Sequence, residues 1–311
     1  MTLTELRYLV TLARTGHFGK AAEACHVSQP TLSIALKKLE DELGVALIER
    51  SKNRIVPTAV GEQIIRQADK VLGQVQVIHE LADAGKDSLA SPLRLGAIFT
   101  IGPYLFPHLI PELSAMAPAM PLVLEENYTA VLRRKLVATE LDAILIALPF
   151  NEADVVTRPL YEEPFVVLMP KDHPWAAREA IAPEELANES VLLLGEGHCF
   201  RDQILAAIPA LKARMQQADY PIAATANTSL DTLKHMVSSG LGITVLPLSA
   251  AGLDAHSHHR LCTRPFTGNG PKRTVALAWR ASFPRFNAID ILCNAVNKCR
   301  VSFTANADRA A

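Results

Sequence analysis

Between Phe18 and Gly44 the chain carries two helical patterns separated by a link of three residues and an N-cap. The first pattern fits Phe18–Ala24, and Cys25-His26-Val27 then form a tight link to Ser28, a good N-cap. Pro30 falls in the first turn of the next helix, where its missing N–H costs nothing. Leu32, Leu36, Leu39 and Leu43 recur at four, three and four residues and predict one buried stripe, which Gly44 ends. The opposite face presents Gln29, Thr31, Ser33, Lys37 and Lys38. Two helices joined by a short turn, with small hydrogen-bonding residues opening the second, are how a recognition helix enters the major groove. Ser28, Gln29, Pro30, Thr31 and Ser33 are therefore candidates for base edges and phosphates, and Lys37 for a phosphate. A plain small helical domain with a solvated polar face is the other reading.

The flanking segments extend this picture. Thr2-Leu3-Thr4-Glu5 has capping-box spacing and opens a helical run to Arg14. Leu47–Arg50 and Ile55–Pro57 predict a small hairpin with Ser51-Lys52-Asn53-Arg54 at its tip, a wing on which Arg50, Lys52 and Arg54 suit phosphates. From Glu62 to Ala84 runs one long helical pattern, weakened by Gly73. Its Ile64, Ala68, Val71, Val75, Ile78 and Ala82 have the alternating spacing of a two-stranded coiled-coil seam. A dimerisation linker is one reading, and a helix packed on its own domain the other. Gly85-Lys86-Asp87-Ser88-Leu89-Ala90-Ser91-Pro92 then reads as a hinge.

After Pro92, strands alternate with helices in the manner of parallel βαβ units. Strands are expected at Leu93–Phe99, Leu122–Glu126, Leu141–Leu148, Phe165–Pro170, Val191–Leu194, Ile222–Ala226, Gly242–Leu246 and Thr274–Trp279. Helices are expected at Pro103–Met116, Ser229–Ser239 and Ala288–Cys299. Ligands of such sheets sit beyond the strand C-termini, where Thr100 and Thr129 follow the first two strands. Cleft lining and ordinary capping or turn chemistry both fit the two threonines.

One segment carries chemistry. Gly195 and Gly197 turn the chain out of Val191–Leu194, and the residues after Cys199 read as helix, which sets a thiol at a helix N-terminus. The positive end of the macrodipole favours negative charge on sulfur, the nucleophilic form, and His198 and Arg201 add donors and positive charge. A small buried hydrophobe is the alternative.

At 311 residues the chain has room for two or three domains, and 49% hydrophobic with 20% charged residues is ordinary for a globular protein. The net charge of −1 confines any DNA-binding face to a local patch, and the first 60 residues carry eight Lys/Arg against six Asp/Glu. No signal peptide and no apolar run of membrane-spanning length are expected. Cys25, Cys199, Cys262, Cys293 and Cys299 are too few and scattered for a secreted disulfide framework, so a cytoplasmic chain with reduced thiols is expected. No nucleotide fingerprint or paired CxxC occurs, and no cofactor is expected. His256, His258, His259 and Cys262 cluster in a polar loop without a second ligand pair. Cys293 and Cys299, six apart on a helix, point to different faces.

The run Cys25-His26-Val27-Ser28-Gln29-Pro30-Thr31-Leu32-Ser33, with Lys38-Leu39-Glu40-Asp41-Glu42-Leu43-Gly44, resembles the DNA-binding domain of LysR-type transcriptional regulators. The resemblance extends over essentially the whole chain. It implies a winged helix-turn-helix at residues 1–60, a dimerisation helix and hinge at 61–87, and a two-lobed α/β effector domain like a periplasmic binding protein at 88–311. Lobe I would be about 88–162 with 269–311, and lobe II about 163–268. Gly197-His198-Cys199-Phe200-Arg201-Asp202-Gln203 looks like the sensing segment of the hydrogen-peroxide-responsive branch. Further matches are Ser229-Leu230-Asp231-Thr232-Leu233, Gly242-Ile243-Thr244 and Arg273-Thr274. The resemblance implies that Cys199 is the redox-sensing thiol, with Thr100, Thr129, His198, Asp202 and Arg273 around the peroxide. It also implies promoter DNA, a homodimer or homotetramer and RNA polymerase as partners. That branch usually has a resolving cysteine nine residues after the first, where this chain has Ile208. A regulator of the same fold that binds a small metabolite in the Thr100/Thr129 cleft competes with the peroxide reading. A thiol-dependent hydrolase or peroxidase is a more distant competitor, because no separate orienting base is evident.

Overall fold

The computed structural model describes residues 1–51, 54–87, 89–217, 228–252 and 259–307. The chain forms two compact units, Met1–Lys86 with Val137–Glu140, and Asp87–Leu136 with Leu141–Ala311.

The first unit opens with α1 (Leu3–Thr15), whose capping box is made as its spacing predicts. The Thr2 hydroxyl accepts from the Glu5 amide at 3.2 Å, and the Glu5 carboxylate accepts from the Thr2 amide at 2.7 Å. Helices α2 (Phe18–Ala24) and α3 (Gln29–Leu43) follow, with Ser28 capping α3 and Gly44 closing it in the left-handed region. Leu32, Leu36 and Leu39 are buried against Leu9 and Leu12 in one apolar core. Leu43, expected on the same stripe, is exposed, because the helix ends beside it and the chain turns away from that core. The hairpin is β1 (Ile48–Ser51) antiparallel to β2 (Arg54–Pro57). The long helix α4 (Ala59–Asp87) starts three residues before the expected point and runs three beyond it. Of the expected seam, Ile64 and Ala68 pack instead on the helix-turn-helix core, whereas Val71 and Ile78 stand exposed.

The second unit alternates elements, beginning β3 (Leu93–Ile98), α5 (Gly102–Met116), β4 (Leu122–Asn127), α6 (Thr129–Val137) and β5 (Ala143–Ala147). It continues with β6 (Val155–Pro170), β7 (Val191–Leu192), α7 (Cys199–Ala207), α8 (Pro209–Met215), α9 (Leu230–Ser238), β8 (Ile243–Pro247), β9 (Leu261–Pro265), β10 (Lys272–Arg280) and α10 (Phe286–Ala307). The sheet order is β4-β3-β5-β10-β6-β8-β7, with β9 also on β6. The expected Ile222–Ala226 strand, Lys52, His256 and His258 lie outside the described residues.

The sheet is not uniformly parallel. β3 pairs in parallel with β4 and β5, and β7 with β8, but every pairing of β6 and β10 is antiparallel. Strand β6 is shared between two hydrophobic cores, one around β3, β5, β10, α5 and α10, the other around β8, α7, α8 and α9. Only the second half of β6 was expected. Its earlier stretch, Val155–Pro164, mixes exposed and partly buried residues with a buried Glu163 and contains Pro159 and Pro164. The register slips opposite Val275/Ala276, next to Pro159, where a residue without an N–H cannot continue the ladder. Cys262 lies on β9 opposite Met169 of β6, not in a loop. Cys293 and Cys299 are both buried in the first core. Among the described residues no helix is long and apolar enough to cross a membrane.

Candidate functional site

Cys199 is the first residue of α7, and His198 is its N-cap. The approach Gly195–Gly197 passes Tyr128, and Gly197 adopts a φ of +91°, which L side chains rarely tolerate. The His198 side chain makes no capping bond to the helix N-terminus. Cys199 is half-buried and packs against the first core.

A small pocket brings Cys199 together with Thr100, Thr129 and His198, walled by Phe99 and Tyr128. Thr100 follows β3 in the turn to α5, and Thr129 is the first residue of α6. Neither threonine caps its helix, since Ile101 is the N-cap of α5 and the Thr129 hydroxyl is buried without a hydrogen-bond partner. His198 is buried, and its Nε2 also lacks a partner. Burial pushes the His198 imidazole below the ordinary histidine range. At neutral pH it is therefore an uncharged hydrogen-bonding group, not the positive charge expected from the sequence. Its ring packs edge-on against Tyr128 at 4.7 Å and tilts toward Phe99 at 6.0 Å.

Arg201 spends part of its donor capacity on the backbone. Its Nη1 donates to the Leu194 carbonyl at 3.1 Å and ties the α7 entry to the end of the preceding segment. Asp202 is exposed on α7 and is not in the pocket wall; its place in the first turn suits the helix dipole instead. Gln203 Nε2 donates to the Leu148 carbonyl at 3.2 Å and fastens α7 to the segment after β5.

Arg273 stands behind the pocket. Its Nη1 donates to the Thr100 hydroxyl and its Nη2 to the Thr100 carbonyl, both at 2.8 Å. Nε donates to Glu163 at 2.8 Å, and the guanidinium sits 5.6 Å from the ring of Phe200, next to Cys199 in sequence. Ile208 lies between α7 and α8, buried in the second core.

On the other unit, Ser28, Gln29, Pro30, Thr31 and Lys37 are exposed and Ser33 is half-buried at the start of α3. The Ser28 and Thr31 hydroxyls are 2.8 Å apart, so part of their hydrogen-bonding capacity is used locally. Lys38 makes an ion pair with Glu5 at 3.5 Å. Arg50 and Arg54 lie on the two hairpin strands.

Two family models match the chain, one for a bacterial regulatory helix-turn-helix protein of the lysR family over residues 3–62 and one for a LysR substrate binding domain over residues 86–298. The chain belongs to the LysR family. Its relatives put this LysR-family chain in the OxyR branch. The hydrogen peroxide-inducible genes activator of Dickeya chrysanthemi is 38% identical, covering 96% of this chain and 95% of the relative. The DNA-binding transcriptional dual regulator OxyR of Escherichia coli K12 is also 38% identical, covering 95% of each. Among solved structures, a full-length OxyR C199D variant from Pseudomonas aeruginosa is 59% identical with a TM-score of 0.73, covering 95% of this chain and 94% of that one. A hydrogen-peroxide-bound OxyR variant from Corynebacterium glutamicum is 31% identical with a TM-score of 0.64, covering 98% of this chain and 94% of that one.

Sequence reasoning about this LysR-family chain missed Phe99, Tyr128 and Glu163. A signal for the first two was present, since each pocket threonine directly follows an aromatic at a strand end, Phe99-Thr100 and Tyr128-Thr129. Glu163 had only an indirect one, because a buried arginine needs a carboxylate or carbonyls around it.

Proposed function

We propose that this chain is a DNA-binding transcriptional regulator that senses hydrogen peroxide by oxidation of Cys199. The carrying observation is the pocket, where a thiol at a helix N-terminus shares the lining with Thr129 and His198, whose Oγ1 and Nε2 are buried and unpartnered. A buried polar group without a partner is costly, and a small ligand with two oxygens offers hydrogen bonds to both. The names of the relatives and the peroxide-bound neighbour support the same reading.

In this mechanism the Cys199 thiolate attacks one peroxide oxygen. An S–O bond forms, the O–O bond breaks, and its electron pair leaves with the distal oxygen as hydroxide, which takes up from solvent the proton that the thiol had released. Sulfur is left as a sulfenic acid, the reversible first rung of thiol oxidation. With Ile208 buried where the branch usually has its second cysteine, the output state is the sulfenic acid itself or a mixed disulfide with another thiol. Either group is bulkier than the thiolate and shifts the packing of α7 between two arrangements, which reorients the DNA-binding units of a homodimer or homotetramer. The exposed apolar residues Val71 and Ile78 of α4 suit the dimer contact. The residues proposed to meet promoter DNA are Ser28, Gln29, Pro30, Thr31, Ser33 and Lys37 with Arg50, Lys52 and Arg54 of the wing. The setting is the cytoplasm, the downstream partner RNA polymerase, and the targets antioxidant genes. Residues 1–60 are the DNA-binding domain, 61–87 the dimerisation helix and hinge, and 88–311 the effector domain.

The test is a footprint of the full-length protein on its own promoter region, reduced and after stoichiometric peroxide, beside Cys199→Ser. A peroxide-dependent footprint in the wild type and not in the variant supports the redox switch. Identical footprints in all lanes would replace it with a metabolite-responsive regulator.

A further inference from the structure

Arg273 and Glu163 are direct cross-strand partners on β10 and β6. Their side chains meet at 2.7 Å and are 0% and 4% exposed. The second Glu163 oxygen accepts from the Ser249 amide at 2.8 Å, so the carboxylate is held at both ends. Arg273 in turn grips Thr100 twice, at its hydroxyl and its carbonyl.

This grip has a directional consequence. A hydroxyl has one proton and two acceptor sites, and a guanidinium has donors only. With Arg273 donating to Thr100 Oγ1, that oxygen is the acceptor in the pair, and its proton must point elsewhere. Thr100 lines the pocket that holds Cys199. The positive charge on the acceptor side also polarises the O–H and strengthens it as a donor. We infer that Glu163 is a positioning residue for the peroxide reaction, fixing Arg273 so that the Thr100 hydroxyl donates to the oxygen that leaves. The inference rests on the peroxide reading above. As S–O forms and O–O breaks, negative charge grows on the distal oxygen, and a donor already aimed there stabilises the transition state more than the ground state. Neither Glu163 nor Arg273 exchanges a proton in the step.

The discriminating comparison sets peroxide against iodoacetamide, which alkylates the same thiolate but expels iodide and needs no donor at a leaving oxygen. Second-order rates of Cys199 modification by each reagent are followed by mass spectrometry on the full-length protein. Glu163→Gln is expected to slow the peroxide rate about tenfold, roughly 1.4 kcal/mol in the barrier, while alkylation stays within about twofold. Thr100→Val should show the same selective loss, Thr100→Ser should restore the rate, and adding Glu163→Gln to Thr100→Val should cost nothing more. The inference is overturned if Glu163→Gln slows both reagents equally, if it slows neither, or if the two losses add. Should Glu163→Gln fail to fold, the Thr100 pair decides, and a Thr100→Val protein with undiminished peroxide selectivity overturns it. A wild type that reacts with peroxide no faster than a free thiol, yet alkylates normally, instead overturns the peroxide reading itself.

Discussion

Cys199 gets its setting from residues that reach its pocket from two strand ends and one glycine turn. Cys199→Ser should give no dimedone-reactive product after peroxide while leaving the thermal midpoint within about 2 °C, since sulfur and oxygen differ little in size at a half-buried site. His198 gives a second test. Its folded-state pKa lies below the unfolded value near 6.5, so the folded state binds fewer protons. The corresponding stability is present above about pH 6.5 and is lost as pH falls through the folded-state pKa. Denaturant midpoints measured at pH 7.5 and 5.5 should therefore fall toward acid, and His198→Gln should flatten that part of the dependence. An unchanged slope in the variant would place the acid sensitivity elsewhere.

Helix α3 shows how one element divides stability from recognition. Leu36 is buried in the core of its unit, and Leu36→Ala should cost about 2–5 kcal/mol in denaturant unfolding, with loss of DNA binding as a consequence. Ser28→Ala removes an N-cap and should cost about 1 kcal/mol. Gln29 is exposed on the opposite side, so Gln29→Ala should leave unfolding unchanged and weaken binding to the specific operator more than to random DNA. α7 has a similar division. Its first residue faces the pocket, whereas Phe200, Ile204 and the following Ile208 anchor it in the second core. That anchorage lets a change at Cys199 be felt along the helix instead of being absorbed by a loose loop.

For the whole molecule, DNA affinity must come from a few local cations, because the net charge is −1. Lys37→Ala should weaken binding about equally across sequences and reduce the slope of log affinity against log salt by about 1, read from titrations between low and physiological salt. An unchanged slope would remove Lys37 from the phosphate contacts. Strand β6 packs in both cores of the second unit, and it pairs with β10 at Glu163 and Arg273. The strand that joins the two cores therefore also holds, through Glu163 and Arg273, the Thr100 side of the pocket.

The helix-turn-helix, its caps and the start of α7 at Cys199 were readable from the sequence, because each rests on local rules: a hydroxyl before a helix, a leucine every third or fourth position, glycine at a helix end. The sequence also marked Thr100 and Thr129 as strand-end residues, without saying whether they capped helices or faced a ligand. Only the tertiary structure shows that neither caps its helix and that both line one pocket, along with the antiparallel course of β6 and β10, the exposure of Asp202, the lowered pKa of His198 and the partnership of Glu163 with Arg273. Glu163 and Arg273 are 110 positions apart. Their pairing follows from strand order and burial, which belong to the packed chain as a whole and leave no periodic trace in either segment.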